Sequence, residues 1–479
     1  MISNLNSDLE PTYEQRKIYS AVDGISKGDK IVIEAGAGCG KTTILNHISH
    51  LLAAKEQKAC YLVFNKLNAI HARKKIGMSA DVSTINSIAL KSQKDKIGRR
   101  EIKPLYPKEI IDLLGVKDSN SYREENYARE VRRALIDFCH SDKKKPTANN
   151  EAEQAVMQDA FKLFNLLRPS SKKNSIKLPL THDIYLKSWQ LDGAPEIKNF
   201  DSLLVDEGQD SNPVSIDIYK QAKSLVIVGD GHQSVYGFRG SVSAITNIEG
   251  QRFPLSQSFR FGPQIAELAN AIVAKKKGYK GISKLKGLSS ISTPITRIHP
   301  SQNHTRIYRT NQDLIFAGNH LKQRNIPIVI YGDMSDLQRR LKAVWDLKKG
   351  VKKINHPLIS RFKSYNIFSE AAKKMSDPEM LQTVRIIEEQ GNKTPDVIKM
   401  LEDKSIVHRP KIILVSGHRS KGHEWNDVVI EQDFDRMLDN DMNDESWDEE
   451  MNLLYVCVTR AMRCLDIRSE FLSGIHSRL

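Results

Sequence analysis

The segment Ala35-Gly36-Ala37-Gly38-Cys39-Gly40-Lys41-Thr42 carries the strongest structural signal in this sequence. It matches the pattern G-x-x-x-x-G-K-[ST] of a phosphate-binding loop except at its first position, which is alanine. In such loops the main-chain N–H groups close around the β-phosphate, the lysine reaches the β- and γ-phosphates, and the final hydroxyl binds Mg²⁺. We therefore predict a nucleotide site whose phosphates contact Gly36, Ala37, Gly38, Cys39, Gly40, Lys41, Thr42 and Thr43.

The residues on either side of this loop supply the structural context that the motif requires. Residues 30–34 form a short, mainly apolar run typical of a buried strand. Apolar residues then follow the loop at helical spacing, namely Ile44, Leu45, Ile48, Leu51 and Leu52. A strand, a loop and a helix in this order place the positive end of the helix dipole at the phosphates. The sequence thus predicts a P-loop enzyme, with Lys41 acting in catalysis and Thr42 binding the metal.

Length and composition indicate a globular chain. It has 479 residues, of which 39% are hydrophobic, enough for substantial cores. A chain of this length is typically divided into about three domains. No apolar run approaches the ~20 residues that cross a bilayer, and residues 1–8 lack the features of a signal peptide. We expect a cytoplasmic protein that makes no membrane contact. No C-x-x-C pair occurs among the cysteines, which argues against a zinc site or a disulfide framework.

Charge is distributed unevenly along the chain. The formal net charge is +15, and residues 263–410 contain 27 basic and 13 acidic residues. Such an excess indicates a polyanionic partner. The densest basic clusters are Lys275–Lys277, Lys348–Lys349 and Lys352–Lys353. The acidic segment 433–450 is predicted to be an exposed loop.

A second part of a nucleotide site follows about 165 residues after the P-loop. Residues 202–205 predict an apolar strand that ends in the adjacent carboxylates Asp206 and Glu207. We predict that Asp206 holds Mg²⁺, that Glu207 is the general base for the attacking water, and that Gln209 senses the γ-phosphate. A strand followed by an acidic turn is common, so this assignment depends on the preceding P-loop.

Three further phrases identify a family. They are VDEGQD at 205–210, GDGHQSVYGFRG at 229–240 and QSFRFGP at 257–263. Together with the P-loop, and in the same order along nearly the whole chain, they resemble the UvrD/Rep-like superfamily-one helicases. The branch that contains the F-box DNA helicase is especially similar. The resemblance implies an ATP- and Mg²⁺-dependent DNA helicase or single-strand translocase with 3′→5′ polarity.

The resemblance assigns roles at the nucleoside end of ATP. Gln15, in the phrase TYEQ at 12–15, would pair with the N6/N7 edge of adenine, so ATP would be favoured. Phe259 would stack on the adenine; the family commonly has tyrosine there, and phenylalanine retains the stacking face. Glu424, in the motif V-like stretch 411–425, would accept a ribose hydroxyl.

The resemblance also assigns three groups to the γ-phosphate. Gln233 would contact it, and Arg260 and Arg460 would act as arginine fingers, which can contribute ~10³–10⁵-fold to phosphoryl transfer. Both arginines follow the P-loop domain in the sequence. We therefore expect ATP to lie between two domains and to draw them together.

A third group of residues would bind single-stranded DNA. By resemblance, aromatic rings stack on bases, which suits movement over any sequence, and polar groups meet phosphates. The residues are Phe64, Asn65, Thr84, Ser87, Tyr236, Phe238, His418 and Lys421. Among the motifs that hold these residues, Asn86 stands where histidine is usual, and Ser416 replaces threonine but keeps a hydroxyl. His423 stands where leucine packs, so we expect a packed, neutral imidazole there.

The motif order predicts an α/β protein with two RecA-like P-loop domains, each a parallel sheet flanked by helices, and two helical insertions. Domain 1A comprises 1–89 and 200–262, with insertion 1B at 90–199. Domain 2A comprises 263–332 and 409–479, with a reduced 2B-like insertion at 333–408. Because little sequence precedes Gln15, we expect no F-box module.

Other functions remain open from the sequence. The partners we predict are single-stranded DNA, junctions of single and double strands, and an unidentified protein. Contacts to phosphates and stacking on bases do not distinguish DNA from RNA, so an RNA helicase or translocase is the alternative. A nucleic-acid-binding nucleotide switch that acts with a partner is a further alternative. The biological pathway and the oligomeric state are not specified by any motif.

Overall fold

The computed structural model describes residues 10–116, 121–148, 150–170, 178–235, 237, 242–375, 377–403, 410–438 and 442–479. The chain divides into two compact units. The first contains the described residues up to Phe259 together with Tyr279–Lys286. The second contains Arg260–Gly278 and the described residues from Gly287 onward. The division thus falls three residues before the predicted end of domain 1A, and Tyr279–Lys286, predicted in domain 2A, packs with the first unit.

The first unit is built on a parallel sheet of six strands within the described chain, in the order β3-β2-β4-β5-β1-β6. The strands are β1 (Lys30–Ala35), β2 (Ala59–Leu62), β3 (Asp81–Ser83), β4 (Ser202–Val205), β5 (Leu225–Gly229) and β6 (Gln251–Leu255). The helices around them are α1 (Tyr13–Asp23), α2 (Lys41–Ala54), α3 (Lys66–Ile76), α4 (Ile85–Ser92), α10 (Pro213–Tyr219) and α11 (Ala244–Asn247).

The central strands are apolar along their whole length because both faces of a parallel sheet are covered. Every residue of β2, β4 and β5 is buried. All the strands run in one direction, so their carboxyl ends lie at one edge of the sheet, where ligands bind in folds of this class. The P-loop follows β1 at this edge, and Asp206 follows β4.

A helical insertion enters after β3, an edge strand, and returns through β4. Its helices are α5 (Lys94–Ile97), α6 (Pro107–Leu114), α7 (Ser121–His140), α8 (Glu151–Leu167) and α9 (His182–Leu191). In α7, Val131, Leu135 and Phe138 recur at helical spacing, and all three are buried in the same apolar cluster.

The second unit has a parallel sheet of five strands within the described chain, in the order β11-β10-β7-β9-β8. The strands are β7 (His304–Tyr308), β8 (Ile328–Ile330), β9 (Ile412–Ser416), β10 (Trp425–Ile430) and β11 (Ala461–Ile467). The helices outside its insertion are α12 (Pro263–Ala274), α13 (Asn311–Gln323), α18 (Gly417–Ser420), α19 (Asp444–Val458) and α20 (Glu470–His476). The predicted α/β class, with two parallel sheets and helical insertions, is confirmed.

The second insertion enters after β8, also an edge strand, and returns through β9. It contains α14 (Ser335–Lys348), α15 (Tyr365–Met375), α16 (Pro378–Gln390) and α17 (Thr394–Glu402). Their apolar faces form one core with residues of α13. The insertion is therefore packed onto the second unit.

The prediction that 433–450 is an exposed loop is wrong. Residues 432–437 form a 3-10 helix, and α19 begins at Asp444. Asp433 and Glu450 are buried, since the first accepts main-chain N–H groups and the second pairs with Arg309. Along the parts of the chain that the structure describes, no helix is both long and apolar enough to cross a membrane.

Candidate nucleotide and nucleic-acid site

The P-loop is held in an open curve between β1 and α2. Gly38 and Gly40 have φ values of +73° and +80°, in the left-handed region that favours glycine. Gly36 donates its N–H to Leu255 O at 3.0 Å, and Phe259 donates its N–H to Gly38 O at 2.9 Å. Helix α2 begins at Lys41, so Thr42 and Thr43 lie in its first turn, whose N–H groups favour phosphate.

Lys41 lies among carboxylates. Burial by itself lowers the pKa of its ammonium, but Glu207, Asp230 and Asp206 act in the opposite direction, and the net effect is a raised pKa. The side chain is therefore cationic at neutral pH. A fixed positive charge beside the phosphate loop is the property that a γ-phosphate ligand needs.

Asp206 lies at the carboxyl end of β4. Tyr61 in β2 donates its hydroxyl to Asp206 Oδ2 at 2.9 Å, and Glu207 donates its N–H to Asp206 Oδ1 at 2.9 Å. Burial, and then the neighbouring Glu207 carboxylate, raise the pKa of Asp206 to about 6. Two adjacent carboxyl groups in a desolvated site repel each other, and a cation relieves that repulsion.

This arrangement fits a magnesium site shared with a nucleotide. Mg²⁺ in such sites takes one or two protein ligands, and water and phosphate oxygens complete its octahedron. Asp206 and the Thr42 hydroxyl are of the right chemical type. Within the described ranges, no group of three or more His, Cys, Asp or Glu side chains is placed to hold a metal.

A chain of hydrogen bonds leads away from Glu207. Gln209, fully buried, donates from Nε2 to Glu207 Oε2 at 2.5 Å and accepts the Asp230 N–H on Oε1 at 3.0 Å. Asp230 in turn accepts from Gln233 Nε2 at 2.8 Å. Gly229 permits this approach, because a Cβ there would lie 2.4 Å from Gln209 Oε1. Hydrogen bonds thus connect Glu207, the predicted general base, to Gln233, which is predicted to contact the γ-phosphate.

The two residues predicted to bind adenine, Gln15 and Phe259, lie at the start of α1 and just beyond β6. The Gln15 side-chain oxygen accepts the Thr12 N–H at 2.9 Å in a capping box at the start of α1. Phe259 is half-buried just beyond β6. The end of β6 is fixed to α1 because Ser256 donates its N–H and hydroxyl to Glu14, at 2.7 and 2.6 Å.

Several predicted DNA contacts lie at the carboxyl ends of β2 and β3. Phe64 is 52% exposed, which is unusual for so large an apolar ring. Asn65 caps α3 by accepting the Asn68 N–H at 2.8 Å. Thr84 caps α4, and its hydroxyl lies 2.8 Å from that of Ser87. Tyr236 and Phe238 lie outside the described residues.

In the second unit, Arg260 pairs with Glu424. Arg260 Nε lies 2.6 Å from Glu424 Oε2, and Nη1 donates to Thr459 O at 3.1 Å. Two residues predicted to contact different parts of ATP thus contact each other. Arg260 therefore occupies a defined orientation within the second unit.

Arg460 is only 1% exposed. It donates from Nε to Val456 O at 2.8 Å, from Nη1 to His423 O at 3.0 Å and from Nη2 to Thr459 Oγ1 at 3.1 Å. These contacts join the end of α19 to the motif V-like stretch. The position of Arg460 is thus determined by the backbone around it.

The predicted DNA-binding residues His418 and Lys421 follow β9 and are partly buried. Nearby, the His423 ring contacts Tyr331, with centroids 4.7 Å apart, and Trp425, with centroids 6.0 Å apart. Burial and the charge of Arg460 lower the pKa of His423. The imidazole is thus neutral at pH 7, although it packs against rings at the surface and not in a core.

Two groups of the first unit belong to the site although no sequence motif assigned them a role. One is Tyr61 in β2, the hydrogen-bond donor to Asp206. Asp230 lies between Gln209 and Gln233 in the hydrogen-bond chain. The available signal was position: both residues belong to strands, or follow strands, whose carboxyl ends meet the P-loop edge.

Two family models match this chain, and several known proteins resemble it in sequence. Residues 14–254 match the UvrD/REP helicase N-terminal domain, and residues 337–469 match the UvrD-like helicase C-terminal domain. The chain is 26% identical to F-box DNA helicase 1 of Gallus gallus, across 96% of this chain and 49% of that protein. It is 28% identical to F-box DNA helicase protein 1 of Schizosaccharomyces pombe, across 95% of this chain and 57% of that protein.

A more distant relative is the ATP-dependent DNA helicase PcrA of Leuconostoc citreum, which is 28% identical across 51% of this chain and 37% of that protein. The chain spans about half the length of the two F-box helicases it matches. The resemblance inferred from the motifs is confirmed. The chain belongs to the UvrD-like helicase family.

Proposed function

We propose that this protein is an ATP-dependent DNA helicase or single-stranded DNA translocase that moves 3′→5′. The observation that carries the proposal is the hydrogen-bond chain from Glu207 through Gln209 and Asp230 to Gln233. It links the predicted water-activating carboxylate to the motif that continues into Tyr236 and Phe238, the predicted base-stacking residues. The F-box and PcrA relatives, which are named DNA helicases, support DNA as the substrate.

For hydrolysis, Glu207 accepts a proton from the attacking water while Lys41 binds the γ-phosphate. Arg260 and Arg460 supply further positive charge where negative charge develops in the transition state. Thr42 and Asp206 hold Mg²⁺, which neutralises phosphate charge when bound. Gln15, Phe259 and Glu424 recognise the adenosine part.

For movement, aromatic rings grip bases and polar groups grip phosphates. Phe64 is exposed beside the P-loop edge, and stacking of this kind is worth ~1–3 kcal/mol per base. Thr84 and Ser87 present two hydroxyls at the start of α4. His418 and Lys421 provide the corresponding contacts in the second unit. Single-stranded DNA and junctions of single with double strands are the proposed substrates, and an additional protein partner is compatible with this site.

The proposal is tested by ATP hydrolysis with and without single-stranded DNA across a salt series, with Lys41→Ala as the blank. We expect strong stimulation that weakens steeply as salt rises, because DNA binding releases counterions. An equal length of RNA is the comparison strand. If only RNA stimulated hydrolysis, RNA and not DNA would be the substrate. If neither strand changed the rate of ATP hydrolysis, the protein would be assigned as a nucleotide switch.

Polarity needs a separate assay. Duplexes with a 3′ or a 5′ single-stranded tail are unwound in parallel under the same ATP and Mg²⁺ conditions. We expect unwinding of the 3′-tailed duplex only. Unwinding of the 5′-tailed duplex alone would reverse the proposed direction while leaving the motor assignment intact.

A further inference from the structure

Tyr279–Lys286 packs with the first unit, although the chain on both sides of it belongs to the second. It follows α12 and contains none of the sequence motifs described above. Its contacts within the first unit nevertheless fall on three parts of the nucleotide site. These are the P-loop, the Gly231–Gln233 turn and the residues between β6 and Phe259.

At its carboxyl end the segment pairs with the main chain beyond β6. Lys286 donates its N–H to Ser256 O at 2.8 Å, and Ser258 donates its N–H to Lys286 O at 2.8 Å. These two bonds form a parallel bridge centred on Gln257. The bridge ends one residue before Phe259, the predicted adenine platform.

Leu285 supports the P-loop directly. It is 7% exposed, and its Cδ1 would lie only 2.5 Å from a Cβ built on Gly36. The absence of a side chain at Gly36 is therefore what lets Leu285 reach the loop backbone. Leu285 fills the space behind the first glycine of the phosphate loop.

At its amino end the segment is anchored to β1. Tyr279 donates its hydroxyl to Glu34 Oε2 through a short hydrogen bond, and the Ile282 N–H donates to the same oxygen at 3.1 Å. Arg252 holds the other oxygen, Oε1, at 2.7 Å. Glu34 is buried and immediately precedes the P-loop. Burial and then the Glu34 contact raise the pKa of Tyr279, so the phenol remains the donor.

The Tyr279 ring packs against the Gly231–Gln233 turn. A Cβ on Gly231 would lie 2.4 Å from Tyr279 Cε1, and the His232 and Tyr279 ring centroids are 5.6 Å apart. A Cβ on Gly281 would lie 2.8 Å from His232 Nε2. Glycines on both sides thus bring the segment and the turn into close contact. Gln233, the predicted γ-phosphate sensor, is the last residue of that turn.

We propose that Tyr279 and Leu285 are positioning residues of the ATP site, with separate tasks. Tyr279 supports the turn that presents Gln233, so it affects the rate of hydrolysis. Leu285 supports the P-loop backbone, so it affects the affinity for ATP. The inference rests on the proposed function, because both effects are read from nucleotide hydrolysis.

The test uses the full chain and four variants: Tyr279→Leu, Tyr279→Phe, Leu285→Ala and Ile282→Ala. Ile282 is the matched control because it lies in the same segment, but the residue is 47% exposed and its hydrogen bond to Glu34 comes from the main-chain N–H. Measured quantities are kcat and KM for ATP with saturating single-stranded DNA, the Kd of a fluorescent non-hydrolysable ATP analogue, and the midpoint of thermal unfolding. Rates are compared at a temperature at which every variant is folded.

We expect Tyr279→Leu to lower kcat about tenfold with KM within about twofold. A misplacement of about 1 Å can cost ~10²-fold, and the loss of one supporting ring should displace Gln233 by less than that. Tyr279→Phe keeps the ring against Gly231 and should retain most of kcat. Leu285→Ala should raise both KM and the analogue Kd about fivefold, because the loop loses its support. The control should match the wild type.

Two results would overturn the inference. The first is that Tyr279→Leu and Leu285→Ala have the same kcat and KM as the control Ile282→Ala. The second is that Tyr279→Leu and Leu285→Ala change kcat and KM to the same extent, which would indicate a general structural role. Absence of DNA-stimulated hydrolysis in the wild type would instead contradict the proposed function. The analogue Kd still tests Leu285 in that case, since binding needs no turnover.

Discussion

Gln209 holds Glu207 in place: its side-chain Nε2 donates to Glu207 Oε2 at 2.5 Å while the rest of the amide is fixed by the Asp230 N–H. Glu207 itself has φ +54°, an uncommon conformation for a residue with a side chain. Gly208 follows because a Cβ there would lie 2.6 Å from Ile227 Cγ1. The predicted general base is thus oriented by a strained backbone and by a buried amide.

The first prediction concerns Gln209. Gln209→Met keeps the volume of the side chain but removes both hydrogen bonds, so Glu207 loses its orientation. We expect kcat for ATP hydrolysis to fall about 10²-fold, the scale for loss of a positioned acid–base group, with the Kd for ATP little changed. Steady-state hydrolysis and analogue binding provide the measurement. A wild-type kcat would show that Glu207 needs no such support.

The second prediction concerns Glu207 itself. Glu207→Gln preserves shape but removes the proton acceptor, so turnover should be abolished while ATP binding is retained. Glu249→Gln makes the same chemical change at an exposed position of the first unit and should hydrolyse ATP normally. More than a few per cent of the wild-type rate in Glu207→Gln would exclude the general-base role.

The third prediction concerns Arg260. Arg260→Ala removes positive charge proposed to act on the γ-phosphate and breaks the pair with Glu424. We expect kcat to fall ~10³-fold or more, with ATP binding retained. Glu424→Gln separates the two effects because it weakens the pair but keeps the arginine. Equal losses in both variants would mean that the ion pair, and not the arginine charge, matters.

The fourth prediction concerns pH and Asp433. This residue is 4% exposed, its Oδ1 has no hydrogen-bond partner in the described part of the chain, and burial raises its pKa from 3.8 to about 7. Between pH 3.8 and about pH 7, Asp433 is therefore protonated in the folded state and ionised in the unfolded state. Its contribution to stability is therefore complete below pH 4 and is lost as pH rises to 7, at roughly 1.4 kcal/mol per pH unit.

Asp433→Asn removes this titration. Thermal unfolding midpoints at pH 4.5 and pH 7.5 should therefore differ less in the variant than in the wild type, and the wild type should be relatively less stable at the higher pH. Parallel pH dependence in the two proteins would show that Asp433 keeps the same pKa on unfolding.

The fifth prediction concerns the basic segment of the second insertion. Residues 345–365 contain six basic and one acidic residue, and Lys348 lies over the rings of Trp345 and Tyr365, at 5.9 and 4.8 Å. Replacing Lys348, Lys349, Lys352 and Lys353 by Gln should weaken DNA binding at all sequences. If each of the four lysines contacts one phosphate, the slope of log K against log salt should become shallower by about 3, since each phosphate contact contributes ~0.7–0.9.

The control for this variant is Lys373→Gln with Lys374→Gln, two exposed lysines of α15 in the same insertion. Fluorescence anisotropy of labelled single-stranded and tailed-duplex DNA measures the slopes. An unchanged slope in the fourfold variant would mean that the segment is only a solvated surface.

Local sequence signals were sufficient for β1, β4 and the P-loop edge, whereas the second sheet was predicted from the order of the motifs. A buried parallel strand is a continuous apolar run, and the groups that follow such runs meet at one edge of the sheet. Lys41, Asp206 and Glu207 could therefore be placed together from the sequence alone. The helical insertions were also readable, because the period in α7 is carried by residues such as Val131 and Leu135.

Other features depend on contacts between distant parts of the sequence. Nothing local marks Tyr279 or Leu285, because their partners, Glu34 and Gly36, lie about 245 residues earlier. The acidic segment was misread for the same reason: the charge of Glu450 signals exposure until Arg309 is known to neutralise it. Gly231 was visible in its motif, but only the ring beside it explains why glycine is needed.

Each insertion leaves its sheet after an outermost strand, β3 in one case and β8 in the other, and the chain then returns through the complete strand β4 or β9. A segment attached at such a place can be lengthened, shortened or exchanged as a cassette without cutting through a ladder of backbone hydrogen bonds. The architecture thus separates the parts under strict geometric constraint from the parts that are free to diverge. Diversification of accessory modules around a fixed ATPase core is the evolutionary outcome that this wiring permits.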